Sequence, residues 1–175
     1  EQPVAKLEAI RSARPDAKLV VDVNQGWNFE ELNAFMPDLN NLSIDMIEQP
    51  LTRGKDQELA GFASPIPLGA DESALNLSEY QHAADRYQVV NIKLDKCGGL
   101  TEALEIASIA TDEGKSLMVG NMTGTSLSMA PAYVIGQFCD FVDIDGPLFL
   151  AADIDPGLDY LEAGKVSIPT PEIWG

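Results

Sequence analysis

Residues 90–99 read VNIKLDKCGG. An apolar run stops at Lys93, a second lysine, Lys96, follows three residues on, and Gly98 and Gly99 then break the chain. A short β-branched run ending at a turn signal is the pattern of a buried strand. In a chain with 28 acidic and only 11 basic residues, a lysine at that point needs a reason. The reason lies in what the chain places at equivalent points elsewhere.

Five further runs have the same character: KLVVDV (18–23), IDMIEQ (44–49), IPLGAD (66–71), SLMVGN (116–121) and DFVDID (140–145), with QVVNIK (88–93) among them. Between them lie stretches that read as helices: 29–41, 56–63, 77–86, 100–114 and 126–138. Asn28, Asn76, Thr101 and Thr125 stand where helix N-caps belong, and Gly114 where a C-terminal glycine does. Residues 1–17 read as a polar amphipathic helix. Strands alternating with helices predict βαβ units and a parallel sheet. The strands are mixed apolar runs, as expected where both faces of a sheet are covered.

The ends of the runs carry Asp22, Glu48, Asp71, Lys93, Asn121 and Asp143, at successive gaps of 26, 23, 22, 28 and 22 residues. In an α/β barrel the C-terminal ends of the strands share one mouth, where chemistry sits. A doubly wound sheet gathers ligands at one switch point instead. The even beat favours the barrel, and no Gly-rich dinucleotide fingerprint follows the first strand.

Composition excludes several classes of function. The net charge of −17 argues against nucleic acid or an anionic membrane as partner. No apolar run is long enough to span a bilayer. The two cysteines, Cys97 and Cys139, stand in no paired or metal-binding spacing, which points to a reducing, cytoplasmic setting.

Asp22, Glu48 and Asp71 end three consecutive runs. Three carboxylates facing one point repel unless a cation sits among them, and hard oxygen donors suit Mg²⁺ or Mn²⁺. The single histidine, His82, lies in a helix-like stretch, so zinc does not fit. Each acid taken alone also reads as a cap or a solvated loop residue; the shared position is what sets them apart. Lys93 ends the next run. A lysine beside a metal cluster can serve as a base, or it can simply neutralise surplus carboxylates.

The order Asp22-Val23-Asn24, Glu48-Gln49-Pro50, Asp71-Glu72-Ser73, then Asn91-Ile92-Lys93 with Gly98-Gly99, resembles the enolase superfamily, and within it the muconate lactonizing subgroup. The resemblance covers the whole chain. It implies an α/β fold: six strand–helix repeats, strands 3 to 8, of an enolase-type (β/α)7β barrel, with residues 1–175 forming part of one C-terminal barrel domain. It implies that Asp22, Glu48 and Asp71 bind Mg²⁺. Lys93 is then the base that takes a proton from the carbon next to a carboxylate, through an enediolate. Asn24 becomes a supporting residue of the metal site, and Lys96 a helper of Lys93.

The last run reads VDIDGP (142–147). Asp143 and Asp145 are two apart, so on a strand both side chains point the same way. This pattern resembles the dipeptide epimerases, such as the L-Ala-D/L-Glu epimerases, in which such a pair holds the substrate ammonium group. The stretch 118–126 resembles their substrate-contacting loop, which makes Asn121 and Thr123 substrate-binding candidates. Asp145-Gly146-Pro147 also reads as an ordinary turn.

The chain departs from the family in lacking a Lys-x-Lys pair, which supplies the base for the second face of the carbon. The capping domain and first two strands are absent as well. Six strands cannot close an eight-stranded barrel, so the N-terminal portion of the same protein is the expected partner, beside a small dipeptide substrate. Self-association into a homo-oligomer stays open. The leading expectation is an Mg²⁺-dependent dipeptide epimerase. The alternatives are a cycloisomerase, an o-succinylbenzoate synthase or an N-acylamino acid racemase of the same subgroup. A Schiff-base aldolase would also use a lysine at a strand end, but needs no acidic trio. For the 175 residues alone, an inactive fragment is the non-enzyme reading.

Overall fold

The structure, a computed structural model, describes residues 3–175. The chain forms two compact units. One runs to Ser73 and includes His82–Val89; the other comprises Ala74–Gln81 and Val90–Gly175.

The first unit opens with α1 (Pro3–Ala13). This is the core of the helix expected over 1–17, whose first two residues lie outside those described. The unit then sets β1 (Val20–Asp22), β2 (Met46–Glu48) and β3 (Leu68–Ala70) side by side and parallel, with Asp22 opposite Glu48 and Glu48 opposite Gly69. Between β1 and β2, α2 (Phe29–Asn41) begins in a full capping box. The Asn28 side chain accepts from the Glu31 N–H, and the Glu31 carboxylate accepts from the Asn28 N–H. Leu32 and Leu39, seven residues apart and so on one helical face, are completely buried with Met46, Ile47 and Leu68. Each such leucine contributes roughly 2–3 kcal/mol through burial.

The stretch 56–63, expected as a helix, is only a 3₁₀ turn over Asp56–Leu59. Ala60 leaves the turn in an extended conformation, and Gly61 follows at φ +76° in the left-handed region. The chain then passes through α3 (Leu77–Ala83), which Asn76 caps by accepting from the Glu79 N–H.

β4 (Val89–Ile92), which enters the second unit at Val90, β5 (Ser116–Val119) and β6 (Phe141–Val142) follow one another in chain order. The β5–β6 pair is parallel. Directly after β4 comes α4 (Leu94–Cys97), a single turn that the sequence did not announce. It is followed by α5 (Leu100–Asp112) and, after β5, by α6 (Ser126–Gly136). Thr101 is not the cap of α5: the helix starts at Leu100, and Gly99 occupies the cap position. Thr125 is at the cap position of α6, but its side chain makes no capping hydrogen bond. Gly114 closes α5 at φ +74°. The unit's core is built from Ile92, Ile106, Leu117, Val119, Met129 and Ile135.

In neither unit does the strand order reverse, which is the arrangement of a barrel wall and not of a doubly wound sheet. Among the described residues no helix is long and apolar enough to cross a membrane.

Candidate functional site

The first unit carries the acidic trio. Asp22 and Glu48 are register partners at the ends of β1 and β2. Asp71 follows the end of β3, two residues beyond Gly69, the register partner of Glu48. The two-residue alternation of strands places all three on one face. Glu48 and Asp71 are each only 4% exposed, and burying an ionised carboxylate is costly unless it is paired. Asp22 is exposed, and its Oδ1 accepts from the Asn24 N–H at 2.8 Å. Asn24 itself does not continue the strand. It sits at φ +49° in a left-handed turn with Gln25, so its backbone, not a side chain on the strand face, holds Asp22.

Among the described residues no three His, Cys, Asp or Glu side chains are drawn together as a ready-made metal cage. The donor set nonetheless suits a hard divalent cation: three carboxylates, two of them buried, at neighbouring strand ends.

The second unit carries the lysines and the paired aspartates. Lys93 is the residue at which β4 becomes α4, with Lys96 one turn on; the Lys96 N–H donates to the Lys93 carbonyl at 2.9 Å. Both lysines are half-buried. Gly120, just past β5, makes the room that Lys93 needs. A Cβ at that position would lie 2.7 Å from Lys93 Cε and 2.7 Å from Asn91 Oδ1.

Asp143 and Asp145 do meet. The Asp143 carboxyl is pushed up to about 6. Desolvation by the protein packed around it is the largest cause, and the Asp145 carboxyl is the next; the Lys93 charge pulls the other way. Asp143 retains solvent-accessible surface, so the desolvation is one-sided. Asn121 braces it, with Nδ2 donating to the Asp143 carbonyl at 3.0 Å and to Oδ1 at 3.2 Å. Gly146 leaves space for that amide, since a Cβ there would be 2.6 Å from Asn121 Oδ1. Asp145 is also the residue before a 3₁₀ turn, Gly146–Phe149. The turn and the carboxyl pair therefore coexist. Tyr160, which the sequence did not single out, donates from its hydroxyl to the Ile144 carbonyl at 2.6 Å and pins the residue between the two aspartates. Both aspartates line a cleft of about 340 Å³ with Tyr160 and Lys165. Thr123 is exposed in the loop before α6.

The first unit thus offers three carboxylates at neighbouring strand ends; the second offers a lysine whose charge reaches Asp143 and two neighbouring aspartates.

Comparison with known proteins adds family context. Residues 1–172 match the model of the enolase C-terminal domain-like family. An N-acetyl-D-glutamate racemase of Pseudoalteromonas sp. is 42% identical over 98% of this chain and 54% of its own length. The L-Ala-D/L-Glu epimerase of Escherichia coli is 44% identical over 89% of this chain and 48% of its own. A crystal structure from Agrobacterium tumefaciens, described as an enolase family member with homology to dipeptide epimerases and holding sodium and L-Ala-L-Glu, superposes with a TM-score of 0.93. It is 47% identical and is matched over 98% of this chain and 52% of its own. The chain thus spans about half the length of the curated relatives it matches.

Proposed function

The chain belongs to the enolase C-terminal domain-like family, and from that premise we propose that the full-length protein is a dipeptide epimerase acting on the carbon next to a carboxylate. The Asp143–Asp145 carboxyl pair, braced by Asn121, carries the reading. Two carboxyls held against each other near a metal-binding family's lysine are repulsive in an empty site and become favourable when an ammonium group bridges them. A free dipeptide brings such a group; an N-acylated amino acid does not.

Asp22, Glu48 and Asp71 hold the divalent cation, Mg²⁺ by their oxygen chemistry. The bound cation supplies Lewis-acid stabilisation of the charge that builds on the substrate carboxylate. Lys93 removes or returns the α-proton, and Asp143 and Asp145 orient the substrate through its ammonium group. Lys96 lies one helical turn away, as a second positive charge beside it.

A second reading rests on the same pair. A protonated Asp143 can donate to an acyl carbonyl, and the Pseudoalteromonas relative is named for an N-acylated substrate. Racemisation of N-acyl amino acids would use the same lysine and metal.

One experiment separates the two. Replacing Asp143 or Asp145 with Asn keeps shape and removes charge. Charge-assisted hydrogen bonds of this kind are worth about 1.5–3 kcal/mol, so KM for Ala-Glu should rise roughly 10- to 100-fold. Turnover of N-acetylglutamate should hold or improve. A uniform loss on both substrates would make the pair structural and remove the support for a dipeptide.

A further inference from the structure

Gln49 follows the carboxylate of Glu48 and is completely buried, yet the sequence gives it no task. Its backbone stands at φ +35°, a conformation that favours glycine. The backbone still serves the sheet: Gln49 N–H donates to the Gly69 carbonyl and its carbonyl accepts from Gln25 N–H, each at 2.8 Å. What the turn achieves is the aim of the side chain. Oε1 accepts from the Asp71 N–H at 3.0 Å and the Ser73 N–H at 3.1 Å. Nε2 lies 2.9 Å from the Leu51 carbonyl, 2.9 Å from Ser73 Oγ and 3.2 Å from the Tyr87 hydroxyl. Tyr87 in turn donates to Asp56 at 3.1 Å, and Asp56 pairs with Arg86 at 2.9 Å.

The paired register of β2 and β3 ends at Glu48 and Gly69. Beyond it the Gln49 amide oxygen does the work of the next backbone acceptor and fixes the chain at Asp71. One residue therefore sets both carboxylates: Glu48 through the peptide bond, Asp71 through a side-chain hydrogen bond. We propose that Gln49 is a positioning residue for the divalent-cation site, holding Asp71 at a fixed place relative to Glu48. The inference rests on the reading that Asp22, Glu48 and Asp71 bind the cation.

The test is Mn²⁺ titration of the full-length protein, with free Mn²⁺ followed by electron paramagnetic resonance and thermal midpoints measured without metal. Gln49→Met removes the acceptor at similar volume and should weaken Mn²⁺ binding about 10- to 100-fold, as loss of an orienting partner typically does. Should that variant not fold, Gln49→Asn, too short to reach Asp71, carries the same expectation. Tyr87→Phe removes a bond of the same cluster without touching the Asp71 N–H. It should lower the thermal midpoint and leave Mn²⁺ affinity near wild type. A folded Gln49 variant with wild-type affinity, or affinity losses that merely follow thermal stability in both variants, would overturn the proposal. If wild type binds no Mn²⁺, the metal reading itself fails, a result distinct from the other two.

Discussion

Asp143 and Asp145 lie together just past β6, where burial and the neighbouring Asp145 carboxyl push the Asp143 carboxyl up to about 6. Desolvation and proximity produce this jointly, and the nearby Lys93 charge offsets only part of it.

The affinity of the full-length protein for a free dipeptide should therefore depend on pH. The pair becomes fully ionised as pH rises through about 6, so KM for Ala-Glu should fall between pH 5 and pH 7. Asp145→Asn removes the repulsion between the two carboxylates and should move the inflection to lower pH. A KM that is flat across that range in wild type would contradict the role given to the pair.

Stability should move in the opposite direction. The ordinary value for Asp143 is 3.8 and the folded value is about 6, so folding raises it. A group raised on folding contributes stability that is complete below its unfolded value and lost as pH climbs through its folded value. The loss should fall between about pH 4 and pH 6. Urea unfolding at those two pH values should show a smaller difference for Asp143→Asn than for wild type. An unchanged difference would mean that other groups carry the dependence.

Gly120→Ala tests the placement of Lys93. The added methyl would sit 2.7 Å from Lys93 Cε, so the lysine must shift. A displacement of about 1 Å can cost roughly 10²-fold in rate. We expect kcat on Ala-Glu to drop by that order, with Mn²⁺ affinity unchanged, since the atoms the methyl meets belong to Lys93 and Asn91. A wild-type kcat would show that Lys93 is free to find its place without the glycine.

Strand positions were legible because each apolar run is bounded by a polar end, and all six runs contain the observed strands, trimmed at their ends. The helix over 29–41 was legible because Asn28 stands where an N-cap belongs; the structure adds Glu31, which completes a capping box with it. The turn α4 was hidden because the same four residues, Leu94–Cys97, also read as a loop leading to two glycines. At α5 the glycine at the cap position displaced Thr101, since Gly99 at φ +118° takes a backbone shape that threonine resists.

The acids and Lys93 were visible as charges interrupting apolar runs. The residues that hold them were not. Gln49 is a neutral polar residue whose burial no pattern announces, and Gly120 matters through the volume it lacks. Asn121 was expected to touch substrate; the structure ties it to Asp143, a contact across 22 residues of chain that periodicity does not encode.

The most direct test of the account is deuterium exchange at the α-carbon. Full-length protein with Mg²⁺ and L-Ala-L-Glu in D₂O, followed by proton NMR, should lose the glutamyl α-proton signal as the D-Glu diastereomer appears. Lys93→Ala should slow that loss by at least 10²–10⁴-fold while Mn²⁺ affinity holds, and Lys96→Ala should be milder. Exchange at the wild-type rate in Lys93→Ala would contradict the claim that Lys93 moves the proton.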